Sequence, residues 1–486
     1  MSRVTHLLKL LSGPLSGILV WWLLISAGEE SVLAKTAGVA VWMAVWWITE
    51  AIPIYFTAFL PAIFFPFLGI MSMKEIAPAY LPQIIFLFIG GFILAFALER
   101  WNLHKRIALK IIVSLGDSPS RLLLGFMLSS YLLSMWILNT ATVMMLLPAL
   151  LAVLDQMKNT SNKKAAPYLL GLAFASSIGG TASLIGTAPN LYFADFFNEN
   201  FTQYPPITFA NWFMFGFPVS LVFFVLAFWV IRFIYFRKES EASINIDHCR
   251  EQYKSLGRIT YEEKMVGVLF VLTVLLWFFS KDIAIGDFKM SGWTNLLPEG
   301  AFVKESTIAM LTAFLLFVLP SKNEKGNALI AWKDVRKMPI GVIFLFGGGF
   351  ALAKGIGDSG LSDWLAGHLE IVSQFPGWLV IICLCLFMTF FTEITSNTAS
   401  IVLILPVLMA MSTQIDAHPL MIMLPVTFSA SFAFMLPVAT PPNTLVFGSD
   451  RLEIREMVRT GIWLNFIGAV LILGAVFTLG KLVYGF

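Results

Sequence analysis

Residues 84–95 read IIFLFIGGFILA, and residues 342–353 read VIFLFGGGFALA, an almost identical string 258 positions further along the chain. A second match lies downstream, where GTAPN at 186–190 pairs with ATPPN at 439–443 at an offset of 253. Small residues recur at helix contacts in membranes, but seldom in one order and at nearly one spacing. The two pairs therefore indicate an internal duplication, which predicts a fold built from two related halves.

Two polar motifs lie between these matches and share the first offset. The string ILNTATVMMLLP, which contains Asn139, matches TSNTASIVLILP, which contains Asn397. Each interrupts an apolar stretch, at 122–155 and 376–412, that is too long for one membrane span. We predict a re-entrant helical hairpin at each place, with the polar motif at its tip inside the protein.

The composition is that of a membrane protein. Hydrophobic residues make up 58% of the 486 residues and charged residues only 13%. Soluble domains carry about 25% charged residues. Many apolar stretches have the length of a helix that crosses a bilayer, so we predict an all-α membrane protein with about 11 transmembrane helices plus the two re-entrant hairpins.

Charge placement predicts the orientation of the chain. Most of the 32 Lys and Arg residues fall in loops on one side of the predicted spans. Because cytoplasmic loops are enriched in these residues, we expect a cytoplasmic N-terminus and an external C-terminus in a plasma (inner) membrane. The repeats begin an odd number of predicted spans apart, which reverses the chain direction and predicts inverted-topology repeats, as in many secondary transporters.

The second element of each repeat is predicted to be a broken helix, because Gly and Pro lie in mid-span in SSIGGTASLIGTAPN and FMLPVATPPNTLVFG. Breaks expose carbonyl oxygens, which suit a hard cation such as sodium. Within a single polytopic membrane domain, 1–486, we expect two repeat cores. The ranges are 84–195 (hairpin 122–155, broken helix 167–195) and 339–448 (hairpin 376–412, broken helix 420–447).

None of these four motifs contains Lys or Arg. If the ligand were an anion with two carboxylates, it would carry about two negative charges at neutral pH, because carboxyl pKa values lie near 4. Burial of that charge without cations is very unfavourable. Asn and Thr donors and helix N-termini offset part of the cost, and bound sodium would offset more. Electrostatics thus favours cotransport of sodium with the anion.

The motifs SNTAS at 396–400, ATPPN at 439–443, IGGTASLIGTAPN at 178–190 and LERWNLHKRIAL at 98–109 resemble those of the divalent anion:sodium symporter family over nearly the whole chain. The resemblance implies sodium-coupled symport of di- or tricarboxylates (succinate, malate, fumarate, oxoglutarate or citrate). It also implies a homodimer, in which the spans outside the two repeat cores form a scaffold and the dimer interface. The transport domain is implied to move like an elevator. Sodium is the coupling ion, without a further cofactor or a nucleic-acid partner.

The same resemblance implies the binding residues. For one sodium ion they are Ser134, Asn139 and the carbonyl of Gly186. For a second they are Thr392, Thr395, Asn397, Ala439 and Pro441, several through backbone carbonyls. For the substrate they are Asn139, Thr140, Thr187, Ser396, Asn397, Thr398 and Thr440. The chain departs from the family at Leu138, which replaces the serine of the first Ser-Asn-Thr motif and removes a hydroxyl.

The motifs are also compatible with other functions. A dicarboxylate exchanger without net sodium coupling, and a sodium–sulfate symporter, would retain the same asparagines. The string Gly355-Ile356-Gly357-Asp358 is similar to that of membrane aspartyl proteases, but we find no mid-span aspartate to pair with Asp358. We therefore expect a transporter rather than an enzyme, and inverted repeats favour a carrier over a channel.

Overall fold

The computed structural model describes residues 3–157, 162–236, 244–285, 288–324, 326–369, 374–412 and 418–486. Its helices are α1 (Arg3–Ser26), α2 (Ser31–Thr49), α3 (Ile54–Thr57), α4 (Leu60–Leu68), α5 (Met73–Ile76), α6 (Gln83–Arg100), α7 (Leu103–Leu115), α8 (Pro119–Ser134), α9 (Asn139–Gln156), α10 (Asn162–Gly180), α11 (Ala188–Asn200), α12 (Phe209–Tyr235), α13 (Asp247–Ser255), α14 (Tyr261–Phe278), α15 (Glu305–Val318), α16 (Trp332–Val335), α17 (Ile340–Asp358), α18 (Leu361–His368), α19 (Gly377–Thr392), α20 (Asn397–Ser412), α21 (Leu420–Ser429), α22 (Pro441–Phe447), α23 (Ile454–Ala475) and α24 (Lys481–Tyr484).

The predicted helical class is confirmed. Short 3₁₀ turns occur at Ala77–Tyr80, Trp293–Leu296 and Gly300–Phe302, and a π turn at Val476–Gly480. Two three-residue strands, β1 (Ile283–Ile285) and β2 (Phe288–Met290), form an antiparallel hairpin that pairs Ile283 with Met290.

Seven helical segments of the described chain are long and apolar enough to cross a membrane. They are Val4–Ser26, Ser31–Thr49, Met73–Arg100, Asn139–Gln156, Phe209–Tyr235, Ile340–Asp358 and Ile454–Tyr484. Five shorter apolar segments accompany them, among them α15, α19, α20 and α21. The chain is therefore an integral membrane protein, as predicted.

Cα packing divides the chain into two compact units. The first unit contains residues 1–85 and 339–430, and the second contains 86–338 and 431–486. The boundary at 430 lies inside the second of the two repeat cores expected from the sequence.

The duplicated glycine strings make close helix contacts in both units. In the first unit, a Cβ on Gly348 of α17 would lie 2.1 Å from the carbonyl oxygen of Ala58. In the second, a Cβ on the matching Gly90 of α6 would lie 2.6 Å from the Cβ of Ala309 on α15. A side chain at either glycine would separate these elements, because packed interiors have no spare volume.

The duplication also extends to the order of the elements. Helices α6 to α11 and helices α17 to α22 run in the same succession: a long helix, a shorter helix, two helices joined by a short link, and a helix that is interrupted and resumes. In the second unit α10 packs against α8, α9 and α12, and α22 packs against α9 and α10.

Candidate functional site

The first tip, residues 134–140, joins α8 to α9 in the second unit. Helix α8 ends at Ser134, and α9 begins at Asn139. Ser134 is fully buried, and its Oγ has no hydrogen-bond partner. The Oδ1 of Asn139 is also buried without a partner. These two oxygens lie on either side of one short link, and each keeps lone pairs available for a ligand.

The first break, residues 181–187, separates α10 from α11. Asn190, in the first turn of α11, is fully buried, and its Nδ2 donates to the carbonyls of Gly180 (3.0 Å) and Ser183 (2.8 Å). Thr187 has extended backbone (φ −147°, ψ 146°) and occupies the N-cap of α11. Two carbonyls of this non-helical backbone are thus paired with a side-chain amide instead of with N–H groups of a continuing helix.

The first tip and the first break touch each other. The hydroxyl of Ser183 donates to the carbonyl of Met135 in the tip. A Cβ on Gly180 would lie 2.7 Å from Asn139 Oδ1, and a Cβ on Gly186 would lie 2.5 Å from the carbonyl oxygen of Gly180. A side chain at either position would collide with these neighbours, so both positions require glycine. Gly180 therefore lies against both Asn139 and Gly186.

The second tip, residues 392–398, joins α19 to α20 in the first unit. The hydroxyl of Thr392 lies 2.7 Å from Asn397 Oδ1 and 3.1 Å from the carbonyl of Ala430, so its proton is shared between them. The hydroxyl of Thr395 donates to the carbonyl of Phe391 (2.9 Å) and pairs with that of Ser400. Thr392 and Thr395 are both buried. The hydroxyls of this tip are thus satisfied by the protein itself.

The second break, residues 431–440, precedes α22 in the second unit. Asn443 is fully buried, and its Nδ2 donates to the carbonyls of Ala433 and Leu436, each at 3.1 Å. Thr440 has extended backbone (φ −140°, ψ 149°), and its Oγ1 accepts from the backbone N–H of Asn443 (3.3 Å). Asn443 therefore bonds two carbonyls of the second break, as Asn190 bonds the carbonyls of Gly180 and Ser183 at the first.

The remaining residues expected to bind substrate lie at helix starts. Thr140 follows Asn139 in the first turn of α9 and is half-buried. Ser396 precedes α20, with its carbonyl accepting from the N–H of Ser400 (2.8 Å), and Thr398 lies in the first turn of that helix. N–H groups at a helix start point at any anion bound there. Ala439 and Pro441 flank Thr440 in the second unit.

Two further asparagines at these breaks, Asn190 and Asn443, are not among the residues that the resemblance assigns to sodium or substrate. Asn190 and Asn443 end the matching pentapeptides GTAPN and ATPPN, and this recurrence was the available signal. Their contacts depend on the path of the broken backbone, which the sequence does not specify.

Leu138, the departure from the family, faces a small apolar cavity in the second unit. The lining residues are Leu87, Phe88, Gly91, Phe92, Ala95, Trp136, Leu138, Ile185 and Leu191. The cavity therefore joins α6, the first tip and the first break, and the leucine completes its apolar wall.

A larger cavity, of about 380 Å³, lies at the end of α6 and reaches Ala141 in the first turn of α9. Its Arg100 pairs with both Asp334 and Glu324. This guanidinium is already neutralised by two carboxylates, so it leaves the charge compensation near the first tip to other groups.

The oxygen groups gathered here suit a hard monovalent cation better than a transition metal. Within the described residues, no three His, Cys, Asp or Glu side chains are grouped so that they could hold a metal ion. Hydroxyl, amide and carbonyl oxygens are instead the ligands of hard cations. Asp358 of the protease-like string ends α17 and is exposed, so it lies outside a buried carboxylate pair.

The helices and their matching interruptions, which contain no Lys or Arg, define a polytopic membrane transporter. The chain belongs to the sodium:sulfate symporter family, because the profile of that family's transmembrane region matches residues 5–486. The resemblance to divalent anion:sodium symporters is thereby confirmed.

Two relatives agree with this family, and two solved structures share the fold. The sodium-dependent dicarboxylate transporter SdcS of Staphylococcus saprophyticus is 38% identical over 494 residues, covering 99% of this chain and 93% of the relative. SdcS of Staphylococcus aureus (strain bovine RF122) is 39% identical over 458 residues, covering 92% and 86%. Neisseria gonorrhoeae MtrF matches with a TM-score of 0.57 at 12% identity, over 84% of each chain. The Alcanivorax borkumensis YdaH transporter matches with a TM-score of 0.55 at 13% identity, over 87% of this chain and 90% of that one. These two structures share the fold alone.

Proposed function

We propose that this chain is a secondary active transporter that carries dicarboxylates together with sodium ions. The observation that carries the proposal is the pair of buried, unpartnered oxygens in the first tip, Ser134 Oγ and Asn139 Oδ1. The relatives named sodium-dependent dicarboxylate transporters, at 38% and 39% identity, support the choice of ion and substrate. Tricarboxylates such as citrate belong to the same proposal.

The first sodium ion is bound by Ser134, Asn139 and the carbonyl of Gly186. The hydroxyl and amide oxygens have no protein donor, so each has lone pairs available for a cation. The second ion is bound by oxygens of Thr392, Thr395 and Asn397. The carbonyls of Ala439 and Pro441 are proposed to serve the same role.

The substrate carboxylates are bound by neutral donors and by backbone N–H groups at helix starts. Those in the second unit are Asn139, Thr140, Thr187 and Thr440, and those in the first are Ser396, Asn397 and Thr398. Since the tips and breaks contain no Lys or Arg, sodium supplies the positive charge that the dianion needs. Each ligand therefore binds well only when the other is present.

The proposal extends to the finer architecture. It includes about 11 spans with two re-entrant hairpins in inverted repeats, a cytoplasmic N-terminus, an external C-terminus and a homodimer. It also includes an elevator-type movement and transport without chemical conversion of the substrate. The equal order of elements in α6–α11 and α17–α22 supports the repeat.

Uptake of radiolabelled succinate by proteoliposomes tests this function. We expect an inward sodium gradient to drive accumulation and potassium to be ineffective. Uptake that ignores sodium but rises with succinate loaded inside would identify an exchanger instead. Inhibition by sulfate but not by malate or fumarate would identify a sulfate carrier.

A further inference from the structure

We propose that Asn190 and Asn443 are positioning residues that fix the shape of the two breaks and thereby set the affinity for sodium. The inference rests on the proposed function and deepens it, since neither asparagine is among the residues assigned to sodium or substrate.

The two asparagines make the same contacts at the same spacing. Each Nδ2 donates to carbonyls seven and ten residues earlier in the chain: Ser183 and Gly180 for Asn190, Leu436 and Ala433 for Asn443. Both side chains are fully buried. An amide nitrogen has two protons, so each carbonyl receives one. The two breaks, at an offset of 253, are therefore stabilised by the same pair of asparagine-to-carbonyl hydrogen bonds.

The oxygen atom of each amide shows which way round the side chain is held. The Oδ1 atoms of Asn190 and Asn443 are buried without a donor, which is an unfavourable state for an amide oxygen. Rotation of the amide would exchange the atoms but place the oxygen against two carbonyl oxygens. The observed orientation is therefore the one that holds the backbone, and the unpaired oxygen is its cost.

The two hydrogen bonds of Asn190 fix residues that contact the first tip. Gly180, one acceptor, lies directly against the amide of Asn139. Ser183, the other acceptor, donates its hydroxyl to the carbonyl of Met135. Gly186 in turn packs against the carbonyl of Gly180. Release of the two carbonyls would thus displace the backbone that places Asn139 and Gly186 together.

Asn443 fixes the second break in the same way. It holds Ala433 and Leu436, while Thr444 donates to the carbonyl of Pro437 (2.7 Å). These bonds set the backbone path that leads to Ala439, whose carbonyl is proposed to bind sodium. The two asparagines therefore control separate ions, and their effects are separable.

The test compares three isosteric variants of the full chain in proteoliposomes. Asn190→Asp and Asn443→Asp each replace the donating nitrogen with an oxygen. The matched control is Asn198→Asp, also on α11, where the side chain bonds the carbonyl and N–H of Ile207 away from the tip. We measure the sodium concentration for half-maximal succinate uptake, and the succinate half-saturation at saturating sodium.

We expect half-maximal sodium to rise about tenfold in each test variant, because two hydrogen bonds to the break are lost. Succinate half-saturation should stay within about twofold at saturating sodium, since excess ion restores the site. Asn198→Asp should titrate like the wild type. A purely structural role would instead reduce the amount of active protein and leave the sodium titration unchanged.

Two alanine variants and the wild type complete the test of the positioning role. Asn190→Ala and Asn443→Ala, which remove the donors without adding a carboxylate, must reproduce the shift in sodium-dependent thermal stabilisation of the purified protein. If all four variants titrate like the wild type, or if none can be purified folded, the positioning role is wrong. If the wild type itself ignores sodium, it is the proposed function that fails.

Discussion

The two tips have matching sequences but differ in what their oxygen atoms contact. Ser134 and Thr392 occupy equivalent positions, as do Asn139 and Asn397, at the offset of 258. At the second tip the threonine hydroxyl lies 2.7 Å from the asparagine Oδ1. At the first tip the serine Oγ and the asparagine Oδ1 each lack a partner.

A second pair of positions shows the same contrast. Thr395 and Ser400 pair through their hydroxyls at the second tip. Their equivalents at the first tip are Ile137 and Thr142, and the buried Oγ1 of Thr142 has no partner. The second tip is therefore stabilised by hydrogen bonds between its own side chains, whereas the buried oxygens of Ser134, Asn139 and Thr142 at the first tip have no protein partner. The two matching strings thus form similar helix–link–helix elements with different hydrogen bonds.

The largest effect is expected when the amides themselves are removed. Asn139→Ala and Asn397→Ala should each lower succinate uptake about 100-fold, because a group proposed to bind both sodium and substrate is lost. Uptake is normalised to the amount of protein in the membrane. If both variants transport like the wild type, the tips do not form the binding site.

The next largest effect concerns the space beside the first tip. Gly180→Ala places a methyl group 2.7 Å from Asn139 Oδ1, so we expect half-maximal sodium to rise about tenfold. The second repeat already has Ala433 at the equivalent position. Gly474→Ala is the control, because nothing lies within 4 Å of its added Cβ. Equal sodium titrations for the two variants would contradict the contact.

A paired substitution tests the contrast between the tips directly. Thr392→Val removes a hydroxyl that bonds Asn397 and Ala430, and should destabilise the protein by about 1 kcal/mol in the absence of sodium. Ser134→Ala removes a hydroxyl without a partner, and should leave sodium-free stability unchanged but reduce the stabilisation that sodium confers. Thermal unfolding in detergent, with and without sodium, measures both. Equal losses of sodium-free stability would show that the tips do not differ.

The smallest effect is expected at the position that departs from the family. Leu138→Ser restores a hydroxyl to the first tip and opens the apolar cavity beside Phe92 and Ile185. We expect a change of about threefold in half-maximal sodium or in succinate half-saturation. A sodium titration and a succinate titration that both match the wild type would assign Leu138 to packing alone.

The sequence alone predicted the family, the helical membrane class and the positions of the polar motifs. Periodic hydrophobicity and mid-span Gly and Pro act locally, so they can be read without a structure. Element ends were less accurate: the first broken helix was expected at 167–195, whereas α10 and α11 together run from Asn162 to Asn200. Helices continue past the apolar stretch because polar residues at their ends still support helical backbone.

The contacts of individual side chains could not be predicted in this way. Nothing in the string SNTAS shows that Thr392 rather than water satisfies Asn397, and nothing in GTAPN shows that Asn190 reaches back to Gly180 and Ser183. Such bonds depend on where non-local backbone comes to rest. The matching strings were visible in the sequence, but the difference between the hydrogen bonds of the two tips was not.

The short reach of Asn190 and Asn443 has a consequence for biosynthesis. Since each closes a loop of only seven to ten residues, closure costs little chain entropy and needs no distant partner. Each asparagine can therefore form its two hydrogen bonds soon after the ribosome has made its own segment. The contact between Met135 and Ser183, 48 residues apart, must wait for later assembly.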